Sequence, residues 1–356
     1  MQRNASIKCS NSVNKCMKKA IIAMSGGVDS SVAALLMKNK GYECVGATMQ
    51  LYSEGDCSDA KAVADKLGMP FYIFPLKEEF KNQVIEKFIE CYEQGKTPNP
   101  CVECNRTLKF GAMMDKMHEL DADYVVTGHY ARVVFENGEY KLKKAVDESK
   151  DQSYFLHMLT QEQLAHIKFP LGEYTKPEIR EIAEENGFIN ARKKDSQDIC
   201  FVPDGDYVSF IKGYNGKEYP KGLFMHKDGF SFGEHKGIVN YTIGQRKGLG
   251  IAYKNPLYVL NIDPETNNVI LGDNEDLFTD TVTAKNVNII SGKRVTEPIR
   301  VLARVRYRHK EQPATAWQDE NGNLHVKFDE PQRAITKGQS LVIFNGDEVL
   351  GGGEII

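Results

Sequence analysis

Six consecutive residues near the start of the chain, Ser25-Gly26-Gly27-Val28-Asp29-Ser30, have the composition of an anion-binding loop. Residues 20–24 before them are apolar and indicate a buried strand, and residues 31–37 after them indicate the first turns of a helix. Glycine lets the backbone approach an anion closely, while the free N–H groups and dipole of a helix N-terminus attract negative charge. Serine hydroxyls add further donors. The segment therefore predicts a phosphate site rather than an ordinary turn.

The loop departs from the two common phosphate motifs. A Walker A loop ends in Gly-Lys-Ser/Thr, but no lysine follows Gly27 within this motif. The spaced glycines of dinucleotide-binding folds are also missing. The pattern resembles the loop of the ATP pyrophosphatases, which split ATP between the α and β phosphates and leave AMP on a substrate oxygen. That resemblance implies a loop that holds the departing pyrophosphate.

Three of the eight cysteines have a spacing that suits chemistry. Cys101 and Cys104 form a Cys-x-x-Cys in a proline-bounded segment, and Cys200 lies in Asp195-Ser196-Gln197-Asp198-Ile199-Cys200-Phe201. A zinc site would need further ligands at suitable spacing, and none stands out. Four interpretations stay open: a redox pair Cys101–Cys104, sulfur chemistry between Cys104 and Cys200, a four-iron cluster held by all three thiolates, and incidental buried thiols.

The elements that would position these residues alternate along the first half. Strands are predicted at residues 19–24, 43–51, 71–75 and 124–127, and helices at 31–38, 58–67, 80–93 and 108–120. This order predicts an α/β fold with a parallel sheet. Ligands bind such sheets beyond the carboxyl ends of the strands. Met49 and Gly128 belong at those ends, beside the loop.

The second half has a different texture. A helical stretch at residues 161–187 is followed, after about residue 205, by short alternating strands with Asn-Gly turns at Asn321-Gly322 and Asn345-Gly346. We therefore predict a parallel-sheet catalytic domain followed by two smaller β-rich, barrel-like domains. The expected boundaries are a disordered extension at 1–17, an ATP-binding domain at 18–204, a central β domain at 205–280 and a C-terminal β-barrel at 281–356.

Composition narrows the class of protein. The 356 residues are 41% hydrophobic and 27% charged with a net charge of −3, so a nucleic acid would need a local basic patch. Residues 300–310 offer one, and on a strand Arg304, Arg306 and Arg308 would share a face. We expect no membrane partner, since no apolar run approaches the length of a membrane helix. With no secretory leader expected, the cysteines are predicted to be reduced and the location cytoplasmic.

Taken together, residues 19–356 resemble the tRNA-specific 2-thiouridylase family. The resemblance is carried by the Ser25–Ser30 loop and by five further motifs in order: Asn99-Pro100 with Cys104-Asn105, residues 127–132, residues 150–156, residues 196–201 and residues 241–248, with the Gly351-Gly352-Gly353 tail. It implies ATP with Mg²⁺ as cofactors. It also implies nucleotide contacts from Ala23, Met24, Ser25, Gly26, Gly27, Val28, Asp29, Ser30, Met49 and Gly128.

The same resemblance implies a reaction and its partners. The substrate is a tRNA whose wobble uridine is adenylated at its C2 oxygen, and Cys200 carries a persulfide supplied by a sulfur-donor protein. Cys104 is the nucleophile, and a transient Cys104–Cys200 disulfide remains. Contacts with tRNA or the target base are implied for Asn99, Pro100, Cys101, His129, Lys150, Asp151, Gln152, Arg306, Tyr307 and Gln339.

One position departs from the family pattern. Many relatives carry aspartate where this chain has Cys101, and a thiol cannot simply replace that carboxyl group. We therefore assign Cys101 no acid–base role, and a cluster on Cys101, Cys104 and Cys200 remains an alternative route for sulfur. Reactive thiolates need nearby positive charge, for which Arg106, Lys109, Lys193 and Lys194 are the candidates. Rival functions are another ATP pyrophosphatase, such as an amidotransferase-type synthetase, and a metal- or cluster-bearing RNA-binding module.

Overall fold

The structure is a computed structural model that describes residues 17–52, 57–193, 199–202 and 204–356. The strands of its first half are β1 (Lys19–Ala23), β2 (Glu43–Gln50), β3 (Phe71–Pro75), β4 (Tyr124–Val126), β5 (Ala131–Glu136), β6 (Glu139–Lys144) and β7 (Ile167–Lys168). The helices are α1 (Val28–Asn39), α2 (Ser58–Lys66), α3 (Lys77–Phe80), α4 (Glu86–Glu93), α5 (Pro100–Cys104), α6 (Met113–Glu119), α7 (Gln161–Ala165), α8 (Lys176–Glu185) and α9 (Tyr207–Asn215). The wider π-turns Lys81–Ile85 and Asn105–Ala112 join α3 to α4 and α5 to α6.

A parallel sheet with the order β3-β2-β1-β4-β7 is the centre of the first half. Strand β1 is apolar after Lys19 because both of its faces are covered, as is usual in parallel sheets. Ala20 and Ile22 pack with α1, α2 and α8, whereas Ile21 packs with α6 on the opposite side. The predicted α/β class and the four predicted strands are confirmed.

The chain reverses its direction of travel across this sheet at β1. Strands β2 and β3 lie on one side of β1, and β4 and β7 lie on the other. Such a reversal opens a crevice at the carboxyl ends of the two central strands, where α/β proteins bind ligands. The loop after β1 and the segment after β4 both lie there.

The second half is built from two β units. Its strands are β8 (Gly222–His226), β9 (Ser231–His235), β10 (Tyr258–Asp263), β11 (Asn268–Gly272), β12 (Phe278–Ile289), β13 (Ile299–Arg304), β14 (Gln312–Gln318), β15 (Leu324–Arg333), β16 (Ser340–Asn345) and β17 (Glu348–Ile355). The first four form a sheet with the order β10-β11-β8-β9. The other six follow the order β12-β15-β14-β13-β16-β17, and a β12–β17 pairing closes them into a barrel.

A hairpin from the first half extends the barrel sheet, a feature absent from the sequence prediction. Strand β6 pairs with β17 through Val349 and Leu142, and β5 continues the sheet beyond it. Two ion pairs stabilise this junction. Glu311 accepts from Lys144 of β6 and, at 2.5 Å, from the guanidinium of Arg304 of β13. All three side chains are at most 16% exposed, so the ion pairs are largely shielded from solvent.

Some predicted elements differ from the observed ones. Helix α9 is the first element after residue 205, where strands were expected, and β12 already begins at Phe278. Strand β13 ends at Arg304, so Arg304, Arg306 and Arg308 do not share a strand face, and that prediction is wrong. The buried carboxylate of Glu311 draws the Arg304 guanidinium inward, and a turn closed by His309 N–H donating to Arg306 O follows.

No helix within the described ranges is both long enough and apolar enough to cross a membrane. The predicted extension at residues 1–17 lies outside the described residues except for Met17.

Candidate active site

The predicted anion loop joins β1 to α1 and is shaped by its own hydrogen bonds. Gly26 has φ of +74°, a backbone conformation that glycine adopts without strain. Gly27 caps α1 without any side-chain hydrogen bond, which leaves the first N–H groups of the helix available to a ligand. Ser25 N–H donates to Ser30 Oγ (3.2 Å), and that hydroxyl donates to Gly27 O (3.0 Å). The geometry is that of an anion site at a helix N-terminus.

Asn190, which the sequence analysis missed, holds the loop from outside. Its buried side-chain amide donates to Gly26 O (3.1 Å) and to Ser31 Oγ (2.9 Å). Its Oδ1 atom is buried without a hydrogen-bond partner among the described residues. No motif near residue 190 signalled this contact, because it joins segments more than a hundred residues apart.

Asp29, in the first turn of α1, carries the one acidic side chain of the loop. Lys176 Nζ lies 2.7 and 2.8 Å from its two carboxylate oxygens, and Tyr130 OH donates to one of them at 2.9 Å. The Lys176 side chain is 8% exposed. The sequence analysis named neither Lys176 nor Tyr130 as a site residue.

The other predicted nucleotide residues lie around the same edge of the sheet. Ala23 ends β1, Met49 is near the end of β2, and Gly128 follows β4. Gly128 runs directly against α1: a Cβ atom there would lie 2.9 Å from Asp29 C and from Ser30 N. Met24 is buried, and its carbonyl accepts from Thr48 Oγ1 at 2.6 Å. The structure therefore brings together the segments predicted to surround ATP.

Two thiols of the predicted sulfur site come from distant parts of the chain. Cys104 is buried at the end of α5, whereas Cys200 is exposed. Phe201, next to Cys200, is buried against Phe80 (ring centroids 5.6 Å apart) and Phe88 (5.2 Å). This aromatic contact fixes the Cys200 segment to the apolar cluster that also contains Cys104. Residues 194–198, most of the motif before Cys200, lie outside the described residues.

Burial and neighbouring charges shift the pKa values of the three thiols. The pKa of Cys104 is raised to about 11: burial is the largest cause, Lys109 acts in the opposite sense, and Cys200 and Cys101 add to the rise. Although Cys200 is exposed, the surrounding protein partly desolvates its thiol, which raises its pKa, and Cys101 raises it as well. Cys101 is also exposed, and desolvation of its thiol by the surrounding protein raises its pKa, while Lys109 acts in the opposite sense. The three thiols thus lie near enough to influence one another.

The expectation that positive charge lowers these pKa values is wrong in its net direction, because burial outweighs it. Lys109 acts in the expected sense on all three thiols. Arg106 is instead paired with Glu103 at 2.7 Å, and Lys193 is paired with Asp59 at 2.8 Å. Lys194 lies outside the described residues. In this state Cys104 is a protonated thiol at neutral pH.

The described part of the chain contains no group of three His, Cys, Asp or Glu side chains arranged to hold a metal ion. As placed, Cys101, Cys104 and Cys200 therefore do not fit a cluster site.

The segment predicted to frame the target base is held by the barrel. Asn99 precedes α5 and Pro100 is its first residue, which suits the fixed φ of proline. Gln339 Nε2 donates to Thr97 O (2.9 Å) and Pro98 O (3.1 Å) just before them. Gln339, predicted as a tRNA contact, thus also links the barrel to the cysteine segment.

Several other predicted tRNA residues are engaged inside the protein. His129 is 8% exposed, its Nδ1 lies 2.6 Å from Thr127 Oγ1, and burial lowers its pKa well below the ordinary value. Asp151 is buried and accepts from Ser153 Oγ (2.9 Å). Gln152 Oε1 accepts from Tyr130 N–H (3.1 Å).

The remaining tRNA candidates are only partly available. Lys150 lies in the turn closed by its N–H donating to Asp147 O (3.0 Å). Arg306 donates to Ile243 O (3.1 Å) and to Thr336 Oγ1, and Tyr307 packs on Phe155 with ring centroids 4.3 Å apart. The tRNA contacts expected at these positions stay predictions.

Comparison with known proteins finds family matches over most of the chain. Residues 18–204 match the family profile described as tRNA methyl transferase HUP domain, 208–273 the tRNA methyl transferase PRC-barrel domain, and 279–355 the aminomethyltransferase beta-barrel domain. A tRNA-specific 2-thiouridylase of Clostridioides difficile is 49% identical over 95% of this chain and 98% of its own length. One from Clostridium acetobutylicum is 48% identical over 95% of this chain and 99% of its own.

Proposed function

The chain belongs to the tRNA-specific 2-thiouridylase family, and from that premise we propose that it catalyses ATP-dependent 2-thiolation of the wobble uridine of tRNA. The observation that carries the proposal is a pairing of two features. An anion loop stands at the carboxyl edge of the sheet, and Cys200, which is distant in sequence, lies close enough to Cys104 to raise the pKa of the Cys104 thiol.

The first step is activation of the base. The uridine leaves its stack to become accessible, and its C2 oxygen attacks the α phosphate of ATP. Pyrophosphate leaves into the loop formed by Ser25–Ser30, and AMP is now bonded to the C2 oxygen. Asn99, Pro100 and Cys101 frame the base in this proposal.

The second step transfers sulfur. The terminal sulfur of a Cys200 persulfide attacks C2 and AMP leaves, which gives a C2–S–S–Cys200 link. The Cys104 thiolate then attacks Cys200 Sγ, so the C2–S bond is kept, 2-thiouridine is released and a Cys104–Cys200 disulfide forms. An external dithiol supplies the two electrons that restore both thiols.

Cys104 must lose its proton before it attacks. Its raised pKa keeps it neutral in the free protein. Lys109 is the neighbouring positive charge that favours the thiolate. We therefore assign Lys109 the role of stabilising the Cys104 thiolate at this step.

Cofactors and partners follow the same proposal. Mg²⁺ would enter with the triphosphate, because this ion keeps several waters and commonly binds through substrate phosphates. A persulfide-bearing protein supplies the sulfur, tRNA contacts come from His129, the Lys150–Gln152 turn, Arg306, Tyr307 and Gln339, and the reaction takes place in the cytoplasm.

Two serine variants test the sulfur route. With ATP, tRNA and a persulfide donor, Cys104→Ser should trap tRNA on the enzyme as a disulfide-linked adduct, because the releasing thiol is missing. Cys200→Ser should form no adduct and no 2-thiouridine while binding ATP normally. Non-reducing gels and nucleoside mass spectrometry read both results. Cys91→Ser is the matched control, since the Cys91 pKa is also about 11.

The outcomes separate the rivals. Full thiolation by Cys200→Ser would contradict the persulfide route. Thiolation that needs stoichiometric iron and acid-labile sulfide would favour the cluster alternative, and ATP cleavage to AMP without any change in tRNA would favour another ATP pyrophosphatase.

A further inference from the structure

The anion loop contains a negative side chain and no positive one. It contains one carboxylate, Asp29, in the first turn of the helix whose N-terminus would receive a triphosphate. A negative side chain beside phosphates is repulsive, and no lysine follows Gly27 within the motif.

The structure supplies a cation from a segment that is distant in sequence. Lys176 Nζ contacts both oxygens of Asp29, at 2.7 and 2.8 Å, across 147 positions of sequence. The lysine side chain is 8% exposed and the carboxylate 32% exposed. Burial of a lysine is costly unless it is paired, so this contact is a fixed part of the fold rather than a surface encounter.

The backbone around Lys176 is built to hold it there. Lys176 is the first residue of α8, Pro177 follows, and a capping box joins Thr175 and Glu178. The Lys176 N–H also donates to Asp147 Oδ2 at 3.0 Å. Helix α8 packs directly on α1, so the ammonium group is carried to the loop by a rigid element.

We propose that Lys176 is the charge-compensating residue of the ATP loop, acting from α8 on the carboxylate that the loop contains. It neutralises Asp29, so that the triphosphate meets a helix N-terminus with no net negative side-chain charge. Tyr130, which donates to Asp29 at 2.9 Å, orients the carboxylate for this pairing. The inference rests on the proposed use of ATP.

Variants that change the charge at positions 29 and 176 test this proposal. Asp29→Asn removes the negative charge of the pair, Lys176→Met removes its positive charge, and the double variant removes both. Binding of ATP and of adenosine is measured by calorimetry in EDTA, so that no divalent ion replaces the ammonium group. We expect ATP affinity to rise several-fold in Asp29→Asn, to fall roughly tenfold or more in Lys176→Met, and to return to within about threefold of wild type in the double variant. Adenosine affinity should stay within about twofold throughout.

Controls separate charge from structure. Lys176→Arg keeps the charge and should bind ATP within about threefold of wild type. Lys141→Met removes another partly buried ion pair, with Glu348 in the barrel, and should change neither ligand's affinity. If Lys176→Met fails to fold, the order of Asp29→Asn, wild type and the double variant still decides the question.

Failure of this inference is distinguishable from failure of the proposed function. Equal losses of ATP and adenosine in Lys176→Met, or unchanged ATP affinity in Asp29→Asn, would overturn the role of Lys176 while ATP use stands. A wild-type protein that binds no ATP even with Mg²⁺ would instead refute the proposed function.

Discussion

Raising the pH from 8 to 10 should speed alkylation of Cys104 by about a hundredfold, far more than for an ordinary thiol. The reacting species is the thiolate, and burial raises the pKa of Cys104 to about 11. At pH 8 roughly one thiol in a thousand is ionised, and at pH 10 about one in ten. A thiol with the reference pKa of 9.0 gains only about tenfold over the same interval.

The assay is a short iodoacetamide pulse followed by peptide mass spectrometry, with circular dichroism confirming that the fold survives at pH 10. Lys109→Gln should raise the pKa further and slow labelling of Cys104 at pH 8, because this lysine favours the thiolate. Arg106→Gln is the matched control: its charge is already paired with Glu103, so labelling should change less than twofold.

A labelling rate that levels off below pH 9 would refute the reasoning, because it would show that positive charge outweighs burial at Cys104. Equal slowing by Lys109→Gln and Arg106→Gln would show that the effect is not specific to Lys109.

Three further changes test other parts of the structure. Gly128→Ala should weaken ATP binding roughly tenfold by calorimetry, since its Cβ would lie 2.9 Å from the backbone N of Ser30, which cannot give way cheaply. Glu311→Ala should lower the free energy of unfolding in urea by about 3 kcal/mol, because it leaves Arg304 and a lysine unpaired in a largely buried site. Gln339→Leu should slow thiolation severalfold with little change in ATP affinity, because the cysteine segment loses two hydrogen bonds from the barrel.

Local pattern was enough to predict the loop and the sheet. Residues 20–24 are uniformly apolar because β1 is covered on both faces, and glycine at position 26 meets a positive φ. Those constraints act on neighbours in sequence, so the sequence displays them. The same holds for the Asn-Gly turns that join the barrel strands.

Contacts between segments that are distant in sequence could not be predicted from local pattern. Nothing near Lys176 in sequence indicates that it faces Asp29, and nothing in β5 and β6 indicates that they extend the barrel. The strand face predicted for Arg304, Arg306 and Arg308 was wrong for the same reason: Arg304 donates to Glu311 and Arg306 donates to Thr336, both outside the local pattern. The thiol pKa values also depend on burial, which only the assembled fold determines.

The central claim is most directly tested by incubating the protein with unmodified tRNA, ATP, Mg²⁺ and a persulfide donor, and then measuring nucleosides by mass spectrometry with AMP and pyrophosphate measured in parallel. The account predicts 2-thiouridine at the wobble position, with one AMP and one pyrophosphate formed per thiolated base. Unmodified uridine in tRNA that is bound by the protein, or ATP cleaved to ADP and phosphate, would contradict it.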